Sequence, residues 1–168
     1  MSNIEFRKVS YKQFQSDYLK LFPNTSEDKI LDSYLHIILP KRSTAKAAGY
    51  DFCSPVDFVL TKENDLVTIP TGIQIIMPSD TVLLLVPRSG LGFKTGMHLA
   101  NTIGVIDADY IEAPNEGHIM AKLQYDYNDV IIHKGERFMQ GIFIKYEVAS
   151  ETALPNAPRL GGLGSTGK

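Results

Sequence analysis

From residue 35 onward the chain is a succession of short apolar runs, broken by turns in which proline and glycine are frequent. Runs of this kind fall at 36–39, 57–60, 66–69, 72–77, 82–86, 103–106, 119–123, 130–133 and 138–148. Pro40, Pro55, Pro70, Pro78, Pro87 and Pro114 punctuate them, with further turns at Gly49, Gly72, Gly90, Gly92 and Gly96. Proline has no ladder donor and glycine tolerates tight turns, so both mark the ends of strands. No helical period fits between successive runs, which argues against parallel α/β architecture. The pattern predicts an all-β sandwich or barrel.

The two flanks differ from this middle. Tyr11, Phe14, Tyr18, Leu21 and Phe22 recur at spacings of three or four, which predicts an amphipathic helix that Pro23 stops. Thr25 or Ser26 can cap a second helix carrying Ile30, Leu31 and Tyr34. This segment, residues 1–34, reads either as a helical cover over one end of the core or as a docking arm for a regulatory protein partner or a neighbouring subunit. Residues 150–168 are rich in glycine and proline and poor in residues able to pack. They read as a flexible arm, either a plain tail or one that orders on a ligand. Between the flanks lies a β domain at 35–149.

Composition removes several classes. A formal charge of −2 and a pI near 6.1 offer no electrostatic drive towards nucleic acid or an anionic membrane. The lone Cys53 excludes an intrachain disulfide and a multi-cysteine zinc site, and with it the zinc-dependent nucleotide deaminases. The first ten residues mix Glu5, Arg7 and Lys8 without an apolar stretch, so the expected location is the cytoplasm.

Five segments place polar or acidic residues in turns beside strands: Ala47 to Asp51, Pro87 to Gly92, Asn101 to Tyr110, Lys134 to Gln140, and Arg159 to Lys168. In the second, Arg88 offers a fork of donors matched to phosphate oxygens, and Gly90 lets backbone amides approach an anion. The alternative is an ordinary turn with a surface arginine. Asp107 directly follows the β-branched pair Val105-Ile106, so it leaves a strand end, where it can activate water or simply cap the loop. The tail glycines Gly161 to Gly167, with Ser165, Thr166 and Arg159, can wrap a polyphosphate, although the P-loop spacing is absent. His36, His98, His118 and His133 are scattered and read as strand or surface residues.

Taken in order, the five segments resemble the motifs of the trimeric deoxyuridine triphosphatase (dUTPase) family: Ala48-Gly49-Tyr50-Asp51, Pro87-Arg88-Ser89-Gly90-Leu91-Gly92, Asn101 through Tyr110, Lys134-Gly135-Glu136-Arg137-Phe138-Met139-Gln140, and Arg159 through Gly167. The resemblance implies a jelly-roll-like distorted β-barrel, a homotrimer with shared active sites, and hydrolysis of dUTP to dUMP and pyrophosphate. That reaction limits uracil incorporation into DNA and supplies dUMP. Mg²⁺ would be held mainly by substrate phosphates and water. By the same likeness Asp107 is the catalytic water base. Arg88, Ser89 and Gly90 would hold the α- and β-phosphates near Gln140, with Asp51 structural or outer-shell to the metal. Asn101, Val105, Ile106 and Met120 would read uracil, and Tyr110 would pack under the deoxyribose. Arg159, Gly164, Ser165 and Thr166 would close the arm over the γ-phosphate.

The chain departs from the family pattern in two places. Leu163 stands where an aromatic usually covers the base, and the spacing after Arg159 is one residue tighter than the commonest form. The connection after Tyr110, residues 111–118, is also longer. Phe93 or this loop, through His118, is the expected replacement lid; the alternative is that Leu163 caps the base unaided, at somewhat weaker affinity. Two other readings share the fold. One is the dCTP deaminase-related enzymes, including bifunctional members, whose extra Arg and catalytic Glu arrangement is missing from the second segment. The other is a regulatory binding protein built on the same trimer.

Overall fold

The computed structural model describes residues 4–150. Among them are twelve strands: β1 (Glu5–Lys8), β2 (Lys41–Arg42), β3 (Tyr50–Cys53), β4 (Phe58–Leu60), β5 (Leu66–Pro70), β6 (Ile73–Ile76), β7 (Thr81–Pro87), β8 (His98–Leu99), β9 (Gly104–Ile106), β10 (Met120–Gln124), β11 (Val130–Ile132) and β12 (Arg137–Lys145). Three helices accompany them: α1 (Tyr11–Leu21), α2 (Glu27–Leu35) and α3 (Ser89–Thr95). All strand pairing is antiparallel. The largest sheet runs β2-β3-β12-β7-β9, and smaller sheets β5-β10-β8, β11-β4 and β1-β6 close the other side of a jelly-roll-like barrel.

Alternation decides which side chains enter the core. In β7, Thr81, Leu83 and Leu85 are buried while Val82, Leu84 and Val86 are half-buried on the outer face. Leu83, Leu85, Phe52, Leu99, Ile119, Leu123 and Phe138 share one core cluster. The amino-terminal helices join it. Ser10 starts α1 by accepting the Gln13 N–H at 3.1 Å, and Glu27 and Asp28 complement the positive end of α2. Their apolar stripes deliver Phe14, Tyr18 and Ile30 into the same cluster as the barrel residues. Truncating a fully buried ring such as Phe14 to alanine costs about 3–5 kcal/mol. The helices are thus a cover over the core.

Three local expectations fail. The run at 36–39 is not a strand, because α2 continues to Leu35 and His36 caps it through its N–H to the Asp32 carbonyl at 3.2 Å. The last strand stops at Lys145, where Tyr146 turns to bond the Asp80 and Ser79 carbonyls instead of a ladder partner. The glycine-rich stretch after Pro87 is helical. Its far end is held from outside by Tyr127 Oη on the Phe93 carbonyl and Asn128 Nδ2 on the Lys94 carbonyl, both at 2.9 Å.

Candidate active site

A cavity of about 320 Å³ opens between β9, the turn before it and β10. Asn101, Val105, Ile106, Tyr110 and Met120 all line it, so five residues anticipated from the sequence meet in one place. Lys122 lines it too, a strand residue with no sequence signal of its own. Thr102 adopts a left-handed φ of 67° and the Ile103 N–H bonds the Asn101 carbonyl at 2.7 Å, which folds the chain into a tight hairpin. Asp107 follows β9 immediately, and its carbonyl receives the Tyr110 N–H at 3.1 Å to start a short 3₁₀ turn (Ala108–Glu112). The Tyr110 ring is buried, and its hydroxyl donates to the His118 carbonyl at 3.1 Å and accepts from Asn115 Nδ2 at 2.9 Å.

A second cluster gathers where β3, β7 and β12 lie side by side. Asp51, whose side chain is only 11% exposed, receives Arg88 Nε at 3.2 Å and Arg137 Nη1 at 3.1 Å. Register puts Gln140 opposite both Asp51 and Val86, and Gln140 Nε2 reaches the Pro87 carbonyl at 3.5 Å. A Cβ on Gly49 would stand 2.2 Å from Gln140 Oε1, so only glycine leaves that amide in place. Three of the five segments therefore build one corner, with two guanidinium groups on a single carboxylate. Ser89 and Gly90 open α3 beside Arg88 and are exposed. Burial pushes the Cys53 thiol up, so no thiolate competes there.

The dUTPase family model matches residues 35–167. A deoxyuridine 5'-triphosphate nucleotidohydrolase of Lactococcus lactis is 40% identical over 134 residues, covering 78% of this chain and 89% of its own length. The chain belongs to the dUTPase family. A nucleotidohydrolase of Rickettsia bellii is 38% identical over 77% of this chain and 87% of its own length. The dUTPase fold is likewise that of the Streptococcus mutans dUTPase crystal structure, with a TM-score of 0.63 and 31% identity, covering 87% of this chain and 98% of that one. The dUTPase of phage phi11 of S. aureus, described with a structural Mg(II) ion, has the same fold at a TM-score of 0.62 and 19% identity, covering 90% of this chain and 96% of that one.

Against the dUTPase pattern, His118 is the clearest correction. It is neither a surface residue nor a ring able to stack on a base, because it is fully buried. Its Nε2 accepts the Gly72 N–H at 2.8 Å and its Nδ1 bonds Asp17 at 2.8 Å. No sequence signal links His118 to Asp17, 101 positions away. Phe93 is instead 88% exposed, beside Arg88 and Ser89 in a shallow cleft. Arg137, not singled out as a site residue, earns its place through Asp51; its signal lay in the fourth motif. Arg159, Leu163, Gly164, Ser165 and Thr166 lie outside the described residues.

No group of three or more His, Cys, Asp or Glu side chains able to hold a metal exists among the described residues. Both oxygens of the Asp51 carboxylate are engaged, Oδ1 by Arg88 and Oδ2 by Arg137. No helix among these residues is long and apolar enough to cross a membrane.

Proposed function

We propose that the chain hydrolyses dUTP to dUMP and pyrophosphate in the cytoplasm, as a homotrimer whose active sites are shared between subunits. The observation that carries this reading is the 320 Å³ cavity, which gathers Asn101, Val105, Ile106, Tyr110 and Met120 at the strand end that presents Asp107. The base enters beside the β9 hairpin. Asn101 and the backbone from Val105 to Asp107 pair its polar edge, and a cytosine leaves buried donors or acceptors unmatched at about 1–3 kcal/mol each. Tyr110 packs under the deoxyribose and leaves no room for a 2′-hydroxyl.

Asp107 orients a water and takes its proton as the oxygen attacks the α-phosphorus; the bond to the β-phosphate oxygen breaks and pyrophosphate leaves. Arg88, the Ser89 hydroxyl, the Gly90 amide and Gln140 hold the phosphates in line, so positioning and charge neutralisation do most of the catalysis. Mg²⁺ bound to the triphosphate supplies further neutralisation. Arg159, Gly164, Ser165 and Thr166 close over the γ-phosphate, and Phe93 supplies the ring that Leu163 lacks. The half-buried outer face of the main sheet, Leu84, Val86 and Ile142 with the more exposed Val105 and Ile144, supports assembly, because an apolar face of this extent calls for a partner.

Asp107→Asn tests the reading. Pyrophosphate release from dUTP should fall by about 10³-fold or more while binding of a non-hydrolysable analogue persists. Equal loss of binding would remove Asp107 from the role of water base.

A further inference from the structure

Two features stand apart from the site as described: the amino-terminal segment, which lies outside the family model, and the lengthened connection after Tyr110. The structure joins them. Glu116 accepts the Ser10 N–H at 2.7 Å and the Ser10 hydroxyl at 2.6 Å, so the residue that caps α1 also grips the connection. About two turns further along α1, Asp17 bonds His118 Nδ1, and Asp17 is itself held by Gln13 at 2.7 Å and Lys20 at 2.9 Å. His118 then passes the contact on: its carbonyl receives the Tyr110 hydroxyl, and Asn115 Nδ2 donates to that hydroxyl at 2.9 Å.

The connection needs this grip. Glu116 and Gly117 both lie in the left-handed region, at φ 58° and 65°. Such a conformation costs a non-glycine residue energy unless its surroundings impose it. A Cβ at Gly117 would stand 2.8 Å from Ile111 Cα and 2.9 Å from the Tyr110 carbonyl, so the loop folds back directly against the 3₁₀ turn that carries Tyr110.

We infer that the amino-terminal helix is a positioning element for the nucleotide pocket, with Ser10–Glu116 and Asp17–His118 fixing the depth of the Tyr110 ring and so the discrimination between deoxyribose and ribose. Asp17, His118 and Glu116 are positioning residues. They act through Tyr110 and touch no substrate. The inference rests on the reading of Tyr110 as the floor beneath the sugar.

The test compares kcat/KM for dUTP with that for UTP, alongside the melting temperature, in Glu116→Ala, Asp17→Asn, Tyr110→Phe, Tyr110→Ala and the double variant Glu116→Ala/Tyr110→Phe. Glu116 is half-buried and its loss leaves the core intact, so its variant folds even where Asp17→Asn does not. The dUTP-to-UTP ratio should fall about five- to tenfold in Glu116→Ala, because a loosened ring admits the 2′-hydroxyl. In the Tyr110→Phe background, where the hydroxyl link is already cut, the same substitution should change the ratio little, the signature of a shared path. A lowered melting temperature with an unchanged ratio in Glu116→Ala, while Tyr110→Ala does alter it, overturns the inference and leaves the Tyr110 reading standing. An unchanged ratio in Tyr110→Ala overturns both. Full additivity in the double variant overturns the path through the Tyr110 hydroxyl.

Discussion

Asp51 braces Arg88, the arginine proposed to bind phosphate, and its replacement has a calculable effect. The carboxylate takes two charge-assisted hydrogen bonds, from Arg88 at 3.2 Å and Arg137 at 3.1 Å, and is almost wholly shielded from water. In Asp51→Ala both guanidinium groups lose that partner. Arg137, with its side chain 48% exposed, recovers hydration and its share is about 0–1 kcal/mol. Arg88 is 33% exposed and loses about 1.5–3 kcal/mol of a charged hydrogen bond. The fold should therefore weaken by about 1.5–4 kcal/mol, read from urea midpoints. Turnover suffers in parallel, because an untethered Arg88 must be reordered at each encounter with phosphate; its share of about 1.5–3 kcal/mol corresponds to about a 10- to 150-fold drop in kcat/KM. Asp51→Asn keeps the shape and one acceptor oxygen, so it should lose about 1 kcal/mol of stability and still most of the charge that aims Arg88. Pyrophosphate release by the Asn variant is the deciding assay. A kcat/KM within about threefold of the parent would refute the idea that Asp51 acts on catalysis through Arg88.

Other changes probe neighbouring parts. Gly49→Ala should leave stability nearly unchanged, because only the end of the Gln140 side chain must move, yet it should lower kcat/KM by displacing that amide; a thermal melt and a rate measurement separate the two. Burial alone would raise the Asp17 carboxyl, but hydrogen bonds from His118, Lys20 and Gln13 hold it well below the ordinary value of 3.8. Its folded form is thus the stronger acid, so its contribution to stability is complete above pH 3.8 and is lost as pH falls below that value. Urea midpoints of the parent and Asp17→Asn should accordingly converge in acid and separate towards neutrality. Ile142→Asp places a charge in the half-buried outer face of the main sheet and should reduce the oligomeric mass in solution with little loss of monomer secondary structure, measured by light scattering and circular dichroism.

Local chemistry alone determined much of this protein. Alternation and proline punctuation located β4 to β7 and β9 to β11 closely, because half-buried strands must alternate and a turn must end them. Three- and four-residue spacing located α1, and a Thr25 or Ser26 cap ahead of Ile30, Leu31 and Tyr34 located α2. The ordered motifs pointed to the cavity residues, since they cluster at strand ends that the fold leaves open. What escaped detection depends on partners far along the chain. β1 is charged and carries no apolar run, and it exists because β6 offers it a ladder. The glycines that disfavour α3 are overruled by Tyr127 and Asn128. Asp51 became a brace for two arginines only when β3, β7 and β12 came into register. His118 looked like a lid in sequence and is an internal strut in the fold, because a buried ring nitrogen requires a polar partner and the one available, Asp17, arrives on a helix 101 residues away.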